Sequence, residues 1–212
     1  MSVRTASASG RAASYGQHRE PSPLDRLGAW LSSRAVRRRT DLRDKRVGDF
    51  GCGYRATLVR GALDQVREAV LVDVALAADL HRDPRVRAIE GSLPEALETL
   101  ESASLDVVLC ISVLEHLTEP QPTLDHVHWL LAPAGVAVIN VRSRRGKAFL
   151  ELSAFRLGLS PGEQMEDHKR YYDPRDLWPM LVWAGFAPSR IRCRRHKLGL
   201  NTLAVRRKPA IE

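Results

Sequence analysis

The segment Val47-Gly48-Asp49-Phe50-Gly51-Cys52-Gly53-Tyr54 constrains this chain more than any other. A short run that can be buried as a strand ends at an acid, and two glycines follow with one residue between them. A strand, a glycine turn and then a helix make the ligand-binding corner of a doubly wound α/β domain. The glycines have a physical purpose. The turn needs unusual φ values, and a ligand pressed against the backbone leaves no room for a Cβ. Helix is expected from about Ala56, where Leu58, Val59, Ala62, Leu63 and Val66 recur at helical spacing.

The same alternation continues downstream. Strands are expected at 69–73, 86–89, 105–111 and 136–141, with helical segments at 76–80, 94–100 and 123–131. Pro133-Ala134-Gly135 turns the chain into the fifth strand. Strands alternating with helices at this spacing predict a parallel sheet covered by helices on both faces. Upstream, Pro21 to Arg39 carries Leu24, Leu27, Trp30, Leu31 and Val36 of an amphipathic helix, closed by Arg34, Arg37, Arg38 and Arg39, where positive charge suits a helix C-terminus. Downstream, Asp173 as cap, Pro174 at the first position and Gly185 past the end mark another helix. Segments 189–194 and 203–207 then pair antiparallel, and Trp178 and Trp183 are expected in the core. The predicted fold is α/β: a doubly wound, mostly parallel seven-stranded sheet with helices on both faces and a C-terminal antiparallel strand pair.

At 212 residues the chain is expected to form one domain. Its expected layout is a disordered leader over 1–20, a helical cap over 21–45, a ligand-binding core over 46–142, a substrate-side insertion or lid over 143–172, a helix and hairpin over 173–207, and a short tail over 208–212. Long connections such as 142–169 usually form lids in compact domains. No apolar run is long enough for a membrane span, and the first 20 residues lack the apolar region of a secretory signal. Cys52, Cys110 and Cys193 are scattered without metal-ligand spacing, which points to reduced thiols in a cytoplasmic protein.

The net charge of +8 is unevenly distributed. Residues 1–46 hold 11 Lys and Arg against 4 Asp and Glu, residues 47–140 hold 6 against 14, and residues 141–212 hold 16 against 7. An acidic core between basic flanks suits an anionic small molecule, with a membrane surface or nucleic acid as alternatives. The excess of Arg over Lys reads equally as compositional bias.

Gly51-x-Gly53-x-x-Ala56 satisfies the loose dinucleotide fingerprint. Asp73, about 20 residues on, can accept hydrogen bonds from the hydroxyls of a ribose, as in any adenosine ligand; its structural alternative is a helix N-cap. Asp49 separates the candidates. An acid two residues before the first glycine sits poorly beside a pyrophosphate and well beside a cationic amine. An adenosine joined to a positively charged amino-acid tail is S-adenosylmethionine (SAM), so an NAD-dependent oxidoreductase is disfavoured.

At this point the chain resembles the class I, Rossmann-like SAM-dependent methyltransferases over about residues 45–207. Asp49-Phe50-Gly51-Cys52-Gly53 resembles the first family motif. Leu105 to Leu117 resembles the fourth-strand motif, and Leu130-Leu131-Ala132-Pro133-Ala134-Gly135 the turn into strand five. His168-Lys169-Arg170-Tyr171-Tyr172 with Ala184-Gly185-Phe186 resembles small-molecule members from glycan and quinone biosynthesis. The resemblance implies that Asp49 holds the methionine ammonium and that Gly51, Cys52 and Gly53 let the backbone approach SAM. It further implies Asp73 and Val74 at the ribose, Ser92 and Leu93 near the adenine, and Ile111 and Ser112 along the methionine. Arg55 stands where the family often has a third glycine and must point away from the cofactor. Ser92 replaces a frequent Asp.

His116, after strand four, is the candidate general base, since the unperturbed pKa of an imidazole lies near neutrality; packing at a helix start is the structural alternative. His168 is a second candidate, with lid hydrogen bonding as its alternative. Lys169, Arg170, Tyr171 and Tyr172 are expected to orient the acceptor. Ser112 replaces the first ligand of a Glu-x-x-Glu-His metal pattern, so no metal is expected. The function expected is SAM-dependent methylation, by preference at oxygen, of a small anionic acceptor such as a sugar, nucleotide-sugar, lipid precursor or carboxylate, with S-adenosylhomocysteine (SAH) as product. The alternatives are a nucleic-acid methyltransferase, which lacks an aromatic-interleaved basic stripe here, and a degenerate binding protein with the same fold.

Overall fold

The computed structural model describes residues 13–18, 20, 22–146 and 170–208. A seven-stranded sheet forms its centre: β1 (Arg46–Phe50), β2 (Glu68–Asp73), β3 (Val86–Glu90), β4 (Leu105–Ile111), β5 (Leu131–Arg142), β6 (Arg192–His196) and β7 (Asn201–Arg207). The spatial order is β3-β2-β1-β4-β5-β7-β6. Strands β1 to β5 pair parallel, and β7 pairs antiparallel with both β5 and β6. The chain order reverses between β1 and β4. In such sheets ligands bind in the crevice beyond the carboxyl ends of the strands at that reversal.

Period-two alternation builds two cores. In β4, Val108 and Cys110 face one side, and Val107 and Leu109 the other. The first side packs on helix α3 (Pro120–Leu130) through Leu124, Val127 and Leu130, and on α4 (Pro174–Trp183) through Leu177 and Leu181. The second packs on α1 (Pro23–Arg37) through Ala35 and Val36, and on Val59, Ala62 and Val66. Ser22 and Asp25 form a capping box that starts α1. Asp173 and Asp176 do the same for α4. At the amino ends of β1 and β4, the Arg46 guanidinium donates to both carboxylate oxygens of Asp106, and the Arg46 N–H donates to Oδ2 at 2.9 Å.

Four expectations change. The helix after the glycine turn, α2, covers only Thr57–Arg60. Gly61 ends it, and Ala62 and Val66 reach the core through successive turns instead, so their helical spacing reported burial and not helix. Segments 76–80 and 94–100 give only 3₁₀ turns, at Leu80–Arg82 and Glu95–Thr99. Strand β5 starts at Leu131, with a register shift that accommodates Pro133 to Gly135. Trp178 and Trp183 lie at the surface, as do Leu27 and Trp30 of α1, whose buried face holds the expected Val36 together with Ser32 and Ala35.

Leu124 is fully buried between α3 and the sheet. Replacing it with Ala is expected to cost about 2–5 kcal/mol of stability, measured by urea unfolding.

Candidate functional site

The glycine corner links β1 to α2 and leans on β2. The N–H groups of Gly51 and Cys52 both donate to the Val72 carbonyl, at 2.7 and 3.3 Å. The Gly53 N–H donates to Asp73 Oδ2 at 2.7 Å, and the Val74 N–H to Oδ1 at 2.8 Å. Tyr54 N–H donates to the carbonyl of Tyr15, and Ala56 N–H to that of Gly53. These amides have protein acceptors. A pyrophosphate site needs amides aimed at the ligand and a helix N-terminus behind them. Here the amides are engaged and α2 is a single turn.

Gly51 and Gly53 both adopt left-handed φ, +70° and +76°. A Cβ on Gly51 would strike the Val113 side chain, which packs over the turn from beyond β4. A Cβ on Gly53 would press on the Tyr15 carbonyl at 3.3 Å. The third left-handed residue of the turn is Ala56 (φ +44°) and not Arg55, so position 55 has no conformational need for glycine. The Arg55 guanidinium points outward and pairs with Glu20 at 2.6 Å.

Two carboxylates flank the corner. Asp49 is buried at 2% exposure, and its Oδ2 lacks a hydrogen-bond partner. Burial, and then the charge of Asp73, raise its pKa to about 7. A cationic amine would provide the missing partner for Oδ2, and a pair of hydroxyls can use the remaining lone pairs of Asp73. The corner therefore fits the amino-acid and ribose ends of SAM, and it fits a pyrophosphate poorly.

The remaining candidates follow along the same carboxyl edge. Ser92 and Leu93 lie just past β3, with Leu93 packed on the first core. Ile111 ends β4. Ser112 follows with φ +59°, its N–H donating to Asn140 on β5 at 2.7 Å. His116 closes the 3₁₀ turn Leu114–His116 at the same edge and is partly exposed. The neighbouring Glu115 is fully buried and its Oε1 accepts the Arg142 N–H, which joins the loop after β4 to the end of β5. Arg170 and Tyr171 reach solvent to different degrees. Tyr172 does not act with them. It lies in the first core at 4% exposure, donates to the Leu114 carbonyl, and burial holds its hydroxyl pKa up at about 12. His168 and Lys169 lie outside the described residues. Among the described residues, no cluster of three His, Cys, Asp or Glu side chains could hold a metal ion, and no helix is long and apolar enough to cross a membrane.

Part of the expected leader belongs to the site. Residues 13–18 pack on the corner, with Ser14 buried and the Tyr15 carbonyl holding Tyr54. The only sequence signal for this was an aromatic-glycine turn, Tyr15-Gly16, in an otherwise polar stretch.

A methyltransferase domain family model matches residues 17–189. The chain belongs to that family, and it is an SAM-dependent methyltransferase of class I architecture. It is 30% identical over 176 residues to a ubiquinone biosynthesis O-methyltransferase of Ralstonia nicotianae, covering 77% of this chain and 69% of that protein. It is 29% identical over 157 residues to the protein of the same name from Psychrobacter arcticus, covering 68% of this chain and 60% of that one. The chain thus spans about two thirds of the length of these relatives. A SAM-dependent methyltransferase from Archaeoglobus fulgidus shares the fold, with a TM-score of 0.61 at 15% identity over 85% of this chain and 94% of that one.

Gly51→Ala is expected to lower stability by about 2–4 kcal/mol, through the Val113 clash and the left-handed φ; thermal and urea unfolding measure it. Asp49 supplies a pH signature. Its folded pKa lies above the ordinary 3.8, so its contribution is most favourable below that value and is lost as pH rises towards about 7. Asp49→Asn should match the parent near pH 4 and exceed it in stability by roughly 2–4 kcal/mol above pH 7, read from unfolding curves across that range.

Proposed function

We propose that this chain transfers the methyl group of SAM to an oxygen of a small anionic acceptor, releasing SAH. The observation that carries the cofactor assignment is the glycine corner, whose amides are engaged internally and which is flanked by two acids. Asp49 would hold the ammonium of the amino-acid tail. Gly51, Cys52 and Gly53 would lie against the cofactor, with Asp73 and Val74 at the ribose, Ser92 and Leu93 near the adenine, and Ile111 and Ser112 beside the methionine. SAM supplies an electrophilic methyl group on a sulfonium. The protein contributes position and orientation for an in-line displacement.

An oxygen acceptor must lose a proton as the bond forms. His116, at the carboxyl edge beyond β4, would take that proton on its imidazole nitrogen. Arg170 and Tyr171 remain candidates for contacting the acceptor, along with His168 and Lys169. Preference for oxygen draws on the names of the relatives, which are O-methyltransferases. Preference for an anion draws on the basic character of residues 1–46 and 141–212, which flank the acidic core.

The test is calorimetric titration with SAH, followed by labelled SAM in a metabolite extract. SAH should bind saturably and weaken as pH falls below about 7, where Asp49 protonates. Asp73→Ala should weaken it at least about tenfold, the scale of a lost charged hydrogen bond. Label should enter small molecules, and His116→Ala should slow that entry about a hundredfold. Absence of SAH binding would overturn the cofactor assignment, and label entering only RNA would overturn the acceptor class.

A further inference from the structure

A second cluster of charge lies at the carboxyl edge of the sheet, apart from the glycine corner. Because β7 runs antiparallel to β5 with Asn201 opposite Arg142, the turn entering β7 sits over the same edge as the loops after β1 and β4. That turn holds Lys197 and Leu198, both with left-handed backbone, φ +50° and +57°. Such a backbone costs a non-glycine residue about 1–2 kcal/mol. The end of β5 holds it in place: Ser143 Oγ donates to the Gly199 carbonyl at 2.6 Å, and Ser143 N–H donates to that of Leu200 at 3.0 Å.

So held, Lys197 runs inward beneath α1. Its Nζ ends 3.9 Å from where a Cβ on Gly28 would stand. A surface lysine ordinarily carries its ammonium out to water. Close by is Arg142, the last residue of β5, whose buried Nε has no hydrogen-bond partner. Two residues earlier, fully buried Asn140 donates from Nδ2 to Ser32 of α1 at 3.3 Å, and its Oδ1 lacks a partner. Lys197 and Arg142 repel each other, and among the described residues Glu115 is the carboxylate that acts on Lys197. Among the described residues, two cations against one acid leave a positive charge in a place largely shielded from water.

We propose that Lys197 and Arg142 form an anion-holding pair on the acceptor side of the pocket, binding a carboxylate or phosphate group carried by the methyl acceptor. This assignment rests on the methyltransferase reading and names the part of the acceptor that the site grips. An anion there would accept from the Arg142 Nε–H and relieve the repulsion between the two side chains. The arginine offers a planar fork and the lysine a point charge. The pocket would then carry opposite signs at its two ends. Asp49 and Asp73 face the cationic tail and hydroxyls of the cofactor, and Lys197 and Arg142 face the acid of the acceptor.

Among the described residues, the charged groups that act on Lys197 are Arg142 and Glu115, and its ammonium lies beside Gly28 of α1. Burial and the charge of Arg142 lower the lysine to about 8. The adjacent His196 is likewise held low by burial. Anion binding should therefore fade as pH rises through about 8, when the ammonium loses its proton.

The test uses the full chain, with and without saturating SAH, titrated with 4-fluorobenzoate, 4-fluorophenyl phosphate and neutral 4-fluorobenzamide and followed by fluorine NMR. At pH 7 at least one anion should bind about tenfold or more tightly than the amide, and the tighter of the two names the acid. Lys197→Met and Arg142→Gln should each weaken that anion about tenfold. Lys197→Arg should stay within about threefold of the parent and lose the fading between pH 7 and 9.5. SAH affinity should stay unchanged in all three, which also shows that they fold. Anions that bind no better than the amide, or bind Lys197→Met as well as the parent, would overturn the pair. Failure of the parent to bind SAH would strike the cofactor assignment instead, and the titrations without SAH still decide the pair.

Discussion

The carboxylate of Asp73 is the tie on which the glycine corner depends. It ends β2, reaches across to β1's turn, and takes the N–H of Gly53 and of Val74 on its two oxygens. With Val72 already holding Gly51 and Cys52, the turn is fastened to β2 along its length. This decides its chemistry. A loop whose amides serve its own shape has few donors to offer a phosphate, while the acids that shape it attract a cation. Asp49 beside it remains buried with an oxygen unpartnered, a cost in stability of the kind that functional sites retain where charge must be in place beforehand.

The sheet carries this corner to the place where it can work. Reversal of strand order between β1 and β4 opens the crevice, and the loops after β1, β2, β3 and β4 all emerge along it. The two buried faces of the sheet differ in what they add. The face towards α3 and α4 is apolar and takes Tyr172 into its packing. The face towards α1 brings Ser32 against Asn140 and Gly28 against Lys197, so α1 closes the site from one side. The antiparallel return of β7 then brings its entry turn to the same edge, although it lies about 145 residues from the glycines in the chain.

Much of this was legible from residue patterns, and the misses have specific causes. Buried strands announce themselves by apolar runs, and all seven strands were expected near their observed places, including β6, which is mostly exposed. Helical spacing at Leu58 to Val66 misled because burial every three or four residues can also be met by consecutive turns, and Gly61 stops α2 after four residues. Trp178 and Trp183 looked like core because large aromatic rings usually are, yet α4 buries Leu177 and Leu181 and turns its tryptophans outward. Tyr172 was grouped with polar neighbours in a motif, and its burial depends on packing against a loop nearly 60 residues earlier. Residues 13–18 carry almost no pattern, since what holds them is a backbone hydrogen bond to Tyr54.

The sequence by itself determined the fold class, the acid-glycine corner and the preference for SAM over a dinucleotide. Each of these rests on local chemistry: which residues tolerate left-handed φ, and which charge can stand beside a pyrophosphate. Tertiary structure decided which amides are spent, that Arg55 points to Glu20 and away from the corner, and that the Lys197 ammonium runs beneath α1 beside Gly28. These depend on strand order and on the side of a helix that faces the sheet. Both are set by burial summed over the whole domain, and no short stretch of residues encodes that sum.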